Sequence, residues 1–194
     1  MIEFMMLKAV VIFLVVGRLC TADVTDPCTH VHRRWTSRKT LTVNMNLDQT
    51  FEGKLFHDGK KNRTKFDADM TIKGSYVGKI ISYIFYDEKV VYTYMKTNKQ
   101  CYKSSLADIG IPQIDFSKAG DELLSYNNIG GAGTQTWRSV YQDSVILSTY
   151  LNNDCIPAFT VLQNNKLVST TIYGGVKKGI PDGLFKLPKM CKNL

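Results

Sequence analysis

Histidine is scarce in this chain of 194 residues, with only His30, His32 and His57. No Gly-x-Ser-x-Gly elbow accompanies them, so the exposed serine on a strained turn that a Ser-His-Asp hydrolase requires is missing. No two cysteines stand in Cys-x-x-Cys spacing, which removes the usual close-paired zinc and redox sites. The longest acidic run is two residues, so calcium capture by carboxylate runs has no basis here. No apolar run reaches the ~20 residues that span a bilayer as a helix, and no stripe at helical spacing lasts beyond three turns. Repeats and low-complexity tails are absent too. These absences point away from an enzyme and away from a membrane-spanning chain.

Two local patterns come near a metal site and fail. His30 and His32, beside Cys28, share one side of an extended strand but lack a third ligand. The Asp58–Asp69 segment spaces acids and amides like a calcium loop, yet Lys60 takes the third position and Arg63 the glycine position.

What is present begins with Lys8, the apolar run Ala9–Val16, and small residues up to Ala22. That is the form of a secretory signal peptide, with cleavage expected near Ala22, so residues 1–22 are assigned as signal and 23–194 as one domain. Its loss removes Lys8, Arg18 and Glu3 and takes the net charge from +8 to +7. A basic extracellular protein suits acidic glycans, matrix proteins or anionic surfaces, and its scattered cations do not suit nucleic acid. Cys28, Cys101, Cys155 and Cys191 remain, an even number for an oxidising compartment, which reads as two disulfides with three connectivities open. Asn62-Arg63-Thr64 is the one glycosylation triplet.

Period-two alternation dominates the rest, predicting an all-β protein with little helix. Leu41–Leu47 and Thr64–Met70 read as partners joined through a turn at Asp58-Gly59. Ile80–Tyr86 and Val90–Met95 read as a second, more buried hairpin around Asp87-Glu88-Lys89. Trp137–Tyr141, Val145–Leu151, Ala158–Leu162 and Leu167–Tyr173 continue the pattern, while Ser104–Gly120 and Tyr126–Thr134 read as irregular. About ten strands do not form a flat sheet comfortably, so they must curl or fold over. Tyr83, Phe85, Tyr92 and Tyr94 lie in the densest aromatic cluster, with Tyr86 beside them, and these four are the candidates to line an apolar pocket.

A wider set of motifs completes the reading. Pro27-Cys28 precedes Trp35, His57-Asp58-Gly59 opens a hairpin, and Tyr83–Tyr86 leads into Val90-Val91-Tyr92. Thr97–Lys103, Trp137, Asp154-Cys155-Ile156-Pro157 and Gly179–Pro188 follow in order. Together they resemble the ependymin-related family from Pro27 to Cys191, though Thr36-Ser37-Arg38 and Lys89 depart from its pattern. The resemblance implies the fold of bacterial lipoprotein carriers: two curved antiparallel sheets forming a half-barrel around an apolar pocket. It also implies the pairs Cys28–Cys155 and Cys101–Cys191, a glycan on Asn62, calcium sensitivity and a secreted address. The function expected is the binding of a fatty acid or other lipid, with no resident cofactor and with homodimerisation open. The alternative is a structural or adhesive matrix glycoprotein, including one of a calcified shell.

Overall fold

The fold follows from a computed structural model, which describes residues 34–110, 120–129, 131–141, 143–151 and 156–194. The N-terminal signal-like segment, His30, His32, Cys28 and Cys155 lie outside the described residues. Among the described residues no helix is long and apolar enough to cross a membrane.

The alternating segments form strands in chain order: β1 (Arg34–Asn44), β2 (Gln49–Asp58), β3 (Arg63–Ile72), β4 (Ser75–Phe85), β5 (Val90–Met95) and β6 (Gln100–Ser105). After these come β7 (Gly120–Ile129), β8 (Ala132–Tyr141), β9 (Ser144–Leu151), β10 (Ile156–Gln163), β11 (Val168–Gly174) and the short β12 (Lys177–Lys178). The helical residues described are three short 3-10 turns at Met45–Leu47, Gly59–Lys61 and Lys189–Cys191. All neighbours pair antiparallel, in the order β6-β5-β4-β3-β2-β1-β11-β10-β9-β8-β7, with β12 on β1. Each half is a meander of hairpins. The β1–β11 ladder, from Lys39↔Gly174 to Asn44↔Ser169, joins the two expected sheets edge to edge into one.

Two details depart from what the sequence predicts. Leu41–Leu47 and Thr64–Met70 are not neighbours, because β2 runs between them and pairs with both. Its alternation, Phe51, Leu55 and His57, is interrupted by Gly53, which hides the pattern. The glycine has a packing reason: a Cβ there would run into the Asp67 carbonyl oxygen and the Ala68 Cα of β3. Tyr126–Thr134, read as irregular, is the close of the β7–β8 hairpin. Polar β7 is an edge strand, which needs no apolar alternation to be held.

The sheet is curled, and a short connection proves it. Leu106 N donates to Lys89 O in the β4–β5 turn, and Asn164 Nδ2 of the β10–β11 turn donates to Gly110 O. Those turns stand five strand spacings apart, ~24 Å in a flat sheet, and at opposite strand ends. Four residues of extended chain reach only ~14 Å. The sheet therefore wraps so that residues 106–110 cross its concave side, where Leu106 is wholly buried. Bulges at Ser37/Thr40, Met70/Thr71, Leu123/Ser125 and Pro157/Phe159 supply local bending.

The convex side of β1–β6 carries the C-terminal segment. Gly179 N donates to Arg34 O, Asp182 lies 3.6 Å from Arg34, and the Phe185 ring packs 4.2 Å from the Arg63 guanidinium. Cys191 then bonds to Cys101 on β6, and Lys103 Nζ reaches Leu194 O. Beneath this strap Asp58 is buried, accepting two hydrogen bonds from Arg63 (2.9 and 3.2 Å), with Arg34 at 3.6 Å. The strap thus anchors on arginines that a buried carboxylate holds still.

Candidate functional site

Residues directly opposed in an antiparallel ladder share a face, so the register sorts every side chain. One face runs through Trp35, His57, Thr64, Ile84 and Val91 in one direction, and through Thr40, Tyr173, Thr160, Ser148 and Trp137 in the other. It is the concave one. Tyr86 and Tyr173, from strands four places apart, point into it closely enough for the Tyr86 phenol to help raise the Tyr173 pKa.

Across ten strands this face has no charged ladder position; by register its charged positions are Asp121 on edge strand β7, opposite Ser139, and Lys178 on β12, opposite Trp35. No Asp, Glu, Lys or Arg occupies a concave ladder position in β1–β6 or β8–β11. Arg34, Lys39, Glu52, Lys54, Asp58, Arg63, Lys65, Asp67, Asp69, Lys79, Lys103 and Arg138 all fall on the convex face. Arg38 is an exposed bulge residue, and Lys178 of β12, opposite Trp35, is an exposed cation at the rim. The concave floor is mixed but uncharged: Phe51, Leu55, Phe66, Ile80, Ile84, Val91, Trp137, Ile146 and Leu162 lie among the neutral polar side chains of Ser37, Thr42, Ser82, Thr93, Gln135, Ser139, Ser148 and Thr171. Phe51 and Phe66 lie with ring centroids 6.4 Å apart.

At the end of the trough where β2 turns into β3, a polar-aromatic belt crosses six neighbouring strands. Tyr86 follows β4, Thr64 is on β3, His57 on β2, Trp35 on β1, Tyr173 on β11 and Thr160 on β10. The His57 and Trp35 rings lie tilted at 34° with centroids 5.4 Å apart, and Tyr173 meets Trp35 edge-on at 5.4 Å. His57 Nδ1 lies 3.0 Å from the Thr64 hydroxyl, which lies 3.5 Å from the Tyr86 hydroxyl. Burial pushes His57 down to about 4, against the opposing pull of Asp58, so the ring is neutral at physiological pH. Burial also raises Tyr86, partly offset by its bond to Thr64, and raises Tyr173 to about 12 despite its hydrogen bond with Thr160. Thr40, cross-strand from Tyr173 and completely buried, has a hydroxyl with no hydrogen-bond partner.

The structure places the four aromatic candidates elsewhere. Tyr83 and Phe85 have odd parity on β4, and their partners Tyr92 and Val90 share their convex face, as does Tyr94 opposite Ile81. Tyr83 is buried with the Lys65 ammonium over its ring, and Lys103 lies over Tyr92. Phe85 meets Tyr92 edge-on at 6.1 Å. Their cross-strand neighbours Arg63, Cys101 and Lys103 are the residues that hold the C-terminal strap. The four therefore lie on the convex face, beside the residues that hold the strap, and the neighbouring residue Tyr86 is the tyrosine of that cluster on the concave side.

Cys101 and Cys191 form a disulfide. Asn62 holds a left-handed conformation (φ 42°) in the β2–β3 turn, and its Nδ2 donates to Asp87 Oδ1 at 2.7 Å. Among the described residues no group of three or more His, Cys, Asp or Glu side chains gathers to hold a metal.

Against known proteins, no family model matches the chain, and no curated protein does. Among solved structures it is similar to an uncharacterized conserved protein from Thermus thermophilus, at 13% identity and TM-score 0.52, over 83% of this chain and 89% of that one. It is less similar to a putative outer membrane lipoprotein-sorting protein domain from Vibrio parahaemolyticus: 8% identity, TM-score 0.43, 81% and 91% covered. A LolA-superfamily protein from Nitrosomonas europaea follows at 10% identity, TM-score 0.39, 86% and 94% covered. The ependymin-related resemblance is thereby overturned, because no family model and no curated protein supports it. Short motifs such as His57-Asp58-Gly59 mark turns of a curled meander, which unrelated sequences of the same architecture also need. The fold class, a nearly all-β curved antiparallel sheet, stands.

Proposed function

We propose that this protein is an extracytoplasmic carrier that holds an apolar ligand of the lipid class on the concave face of its curled sheet. The observation that carries this is the partition of charge: a strongly basic chain keeps every charged side chain of ten strands off one face. An ordinary packed core would also be uncharged, but it would not gather a histidine, two tyrosines and a tryptophan with an unpartnered buried hydroxyl at one end of the concave face. A concave face that sets a few convergent polar groups among apolar side chains is the usual form of a small-molecule site. An oxidising compartment agrees with the Cys101–Cys191 bond and with the signal-like first 22 residues.

The test is titration with saturated alcohols of increasing length. Each methylene removed from water contributes about 0.8 kcal/mol, so affinity should rise nearly fourfold per carbon until the trough is full. Affinities indifferent to chain length would reject the reading.

A further inference from the structure

We propose that the polar-aromatic belt is the head-group seat, and that it takes an uncharged hydrogen-bonding head, such as a hydroxyl, ester or amide, in preference to a carboxylate. This rests on the carrier reading above and names the ligand class within it.

The geometry argues against an anion. The cations nearest the belt in sequence, Arg34 and Arg63, point to the convex face and are engaged by Asp58. Lys178, opposite Trp35, is exposed at the rim and has its own interaction. The groups that face the belt are phenols, hydroxyls and an imidazole. Tyr86, Thr64 and His57 form one hydrogen-bonded chain, and Tyr173 with Thr160 forms a second. If Thr64 donates to His57 Nδ1, the ring proton sits on Nε2 and remains as a donor. The histidine does not charge until far below neutral pH, so it supplies no counter-ion. A carboxylate buried here would be unpaired, and burial without a partner favours its protonated form.

The same end of the trough has a group that wants a neutral partner. The Thr40 hydroxyl is fully buried beside Tyr173 and makes no hydrogen bond. A buried hydroxyl left unpaired is costly, and an ester carbonyl or hydroxyl satisfies it without bringing charge. The belt thereby distinguishes a neutral lipid from the fatty acid of the same chain length.

The experiment is calorimetric titration of the full chain with 1-decanol, monodecanoylglycerol and decanoic acid at pH 7.5 and pH 5. The neutral pair should bind at least tenfold more tightly than decanoate at pH 7.5, and the gap should narrow at pH 5 as the acid protonates. Tyr173→Phe and Thr40→Val should each weaken monodecanoylglycerol about three- to tenfold. Thermal unfolding checks that they fold, and unchanged binding of decane, which has no head group, controls for a damaged trough. Decanoate binding as tightly as the neutral ligands at pH 7.5 would overturn the proposal while leaving the carrier reading intact. No binding by any of the three would overturn both.

Discussion

His57 is a single side chain on which burial, charge and hydrogen bonding can be weighed separately. Its ordinary pKa near 6.5 falls to about 4, because burial penalises the imidazolium more than neighbouring Asp58 favours it. Between those values the unfolded chain binds a proton that the folded chain refuses. The native state therefore loses stability as pH falls from about 6.5 to about 4, by about 3 kcal/mol across the window. Urea unfolding at pH 7.5 and pH 4.5 should show this loss in the unaltered protein and its absence in His57→Gln. An equal pH slope in the two would mean that the ring is not held neutral. Lys65 is also lowered by burial, but Asp67 opposes that and the group is only partly covered. It belongs to the convex packing around Tyr83 rather than to the trough.

The elements are tied by few but specific contacts. Cys101–Cys191 closes a loop across 90 positions and holds the strap against β6. Cys101→Ser should cost about 2–4 kcal/mol, measured by guanidinium unfolding. Reduction of the unaltered protein should reproduce most of that loss, and no difference between reduced and oxidised forms would show that the strap stands on Arg63–Phe185 and Arg34–Asp182 alone. Inside the sheet, β2 approaches β3 so closely at Gly53 that a methyl group meets backbone. Gly53→Ala should destabilise by about 1–3 kcal/mol, the usual cost of overpacking. A neutral or stabilising effect on the unfolding midpoint would show that the two backbones can separate there. The hairpin turns are another matter: Lys73, Lys89 and Lys99 each hold positive φ where glycine would be unstrained.

At the scale of the molecule, what matters is that eleven strands in one path are bent so that their middle presents a concave face. The proposed binding would act on the whole sheet, since the belt draws on six adjacent strands from both meanders. A ligand bound only by the folded state should stabilise it by about 2.7 kcal/mol at a hundred times its dissociation constant. Delipidated protein should accordingly unfold at lower temperature than protein reloaded with monodecanoylglycerol, and the midpoint should rise with ligand concentration. A midpoint independent of loading would place the ligand off the fold.

Much was legible in the amino-acid sequence because it depends on local chemistry. Alternation marked β4, β5 and the late strands, and Asp87-Glu88-Lys89 marked the turn between β4 and β5. Strand β2 stayed hidden because Gly53 breaks its alternation for a contact with β3 that exists only after folding, and β7 because an edge strand has no second neighbour to demand apolar residues. The aromatic candidates show the limit most clearly. Strand parity puts Tyr83 with Phe85 and Tyr92 with Tyr94, and the β4–β5 register puts all four on one face. Parity cannot tell which face of a sheet becomes concave. That was decided by the bulges, by the crossing of residues 106–110 to the β10–β11 turn, and by the strap laid over the other side. On that side the four became convex residues, and Trp35, His57, Tyr86 and Tyr173, scattered over 139 positions of chain, were gathered into the belt. Local alternation needs only neighbours in sequence; curvature is the sum of contacts between residues far apart in it.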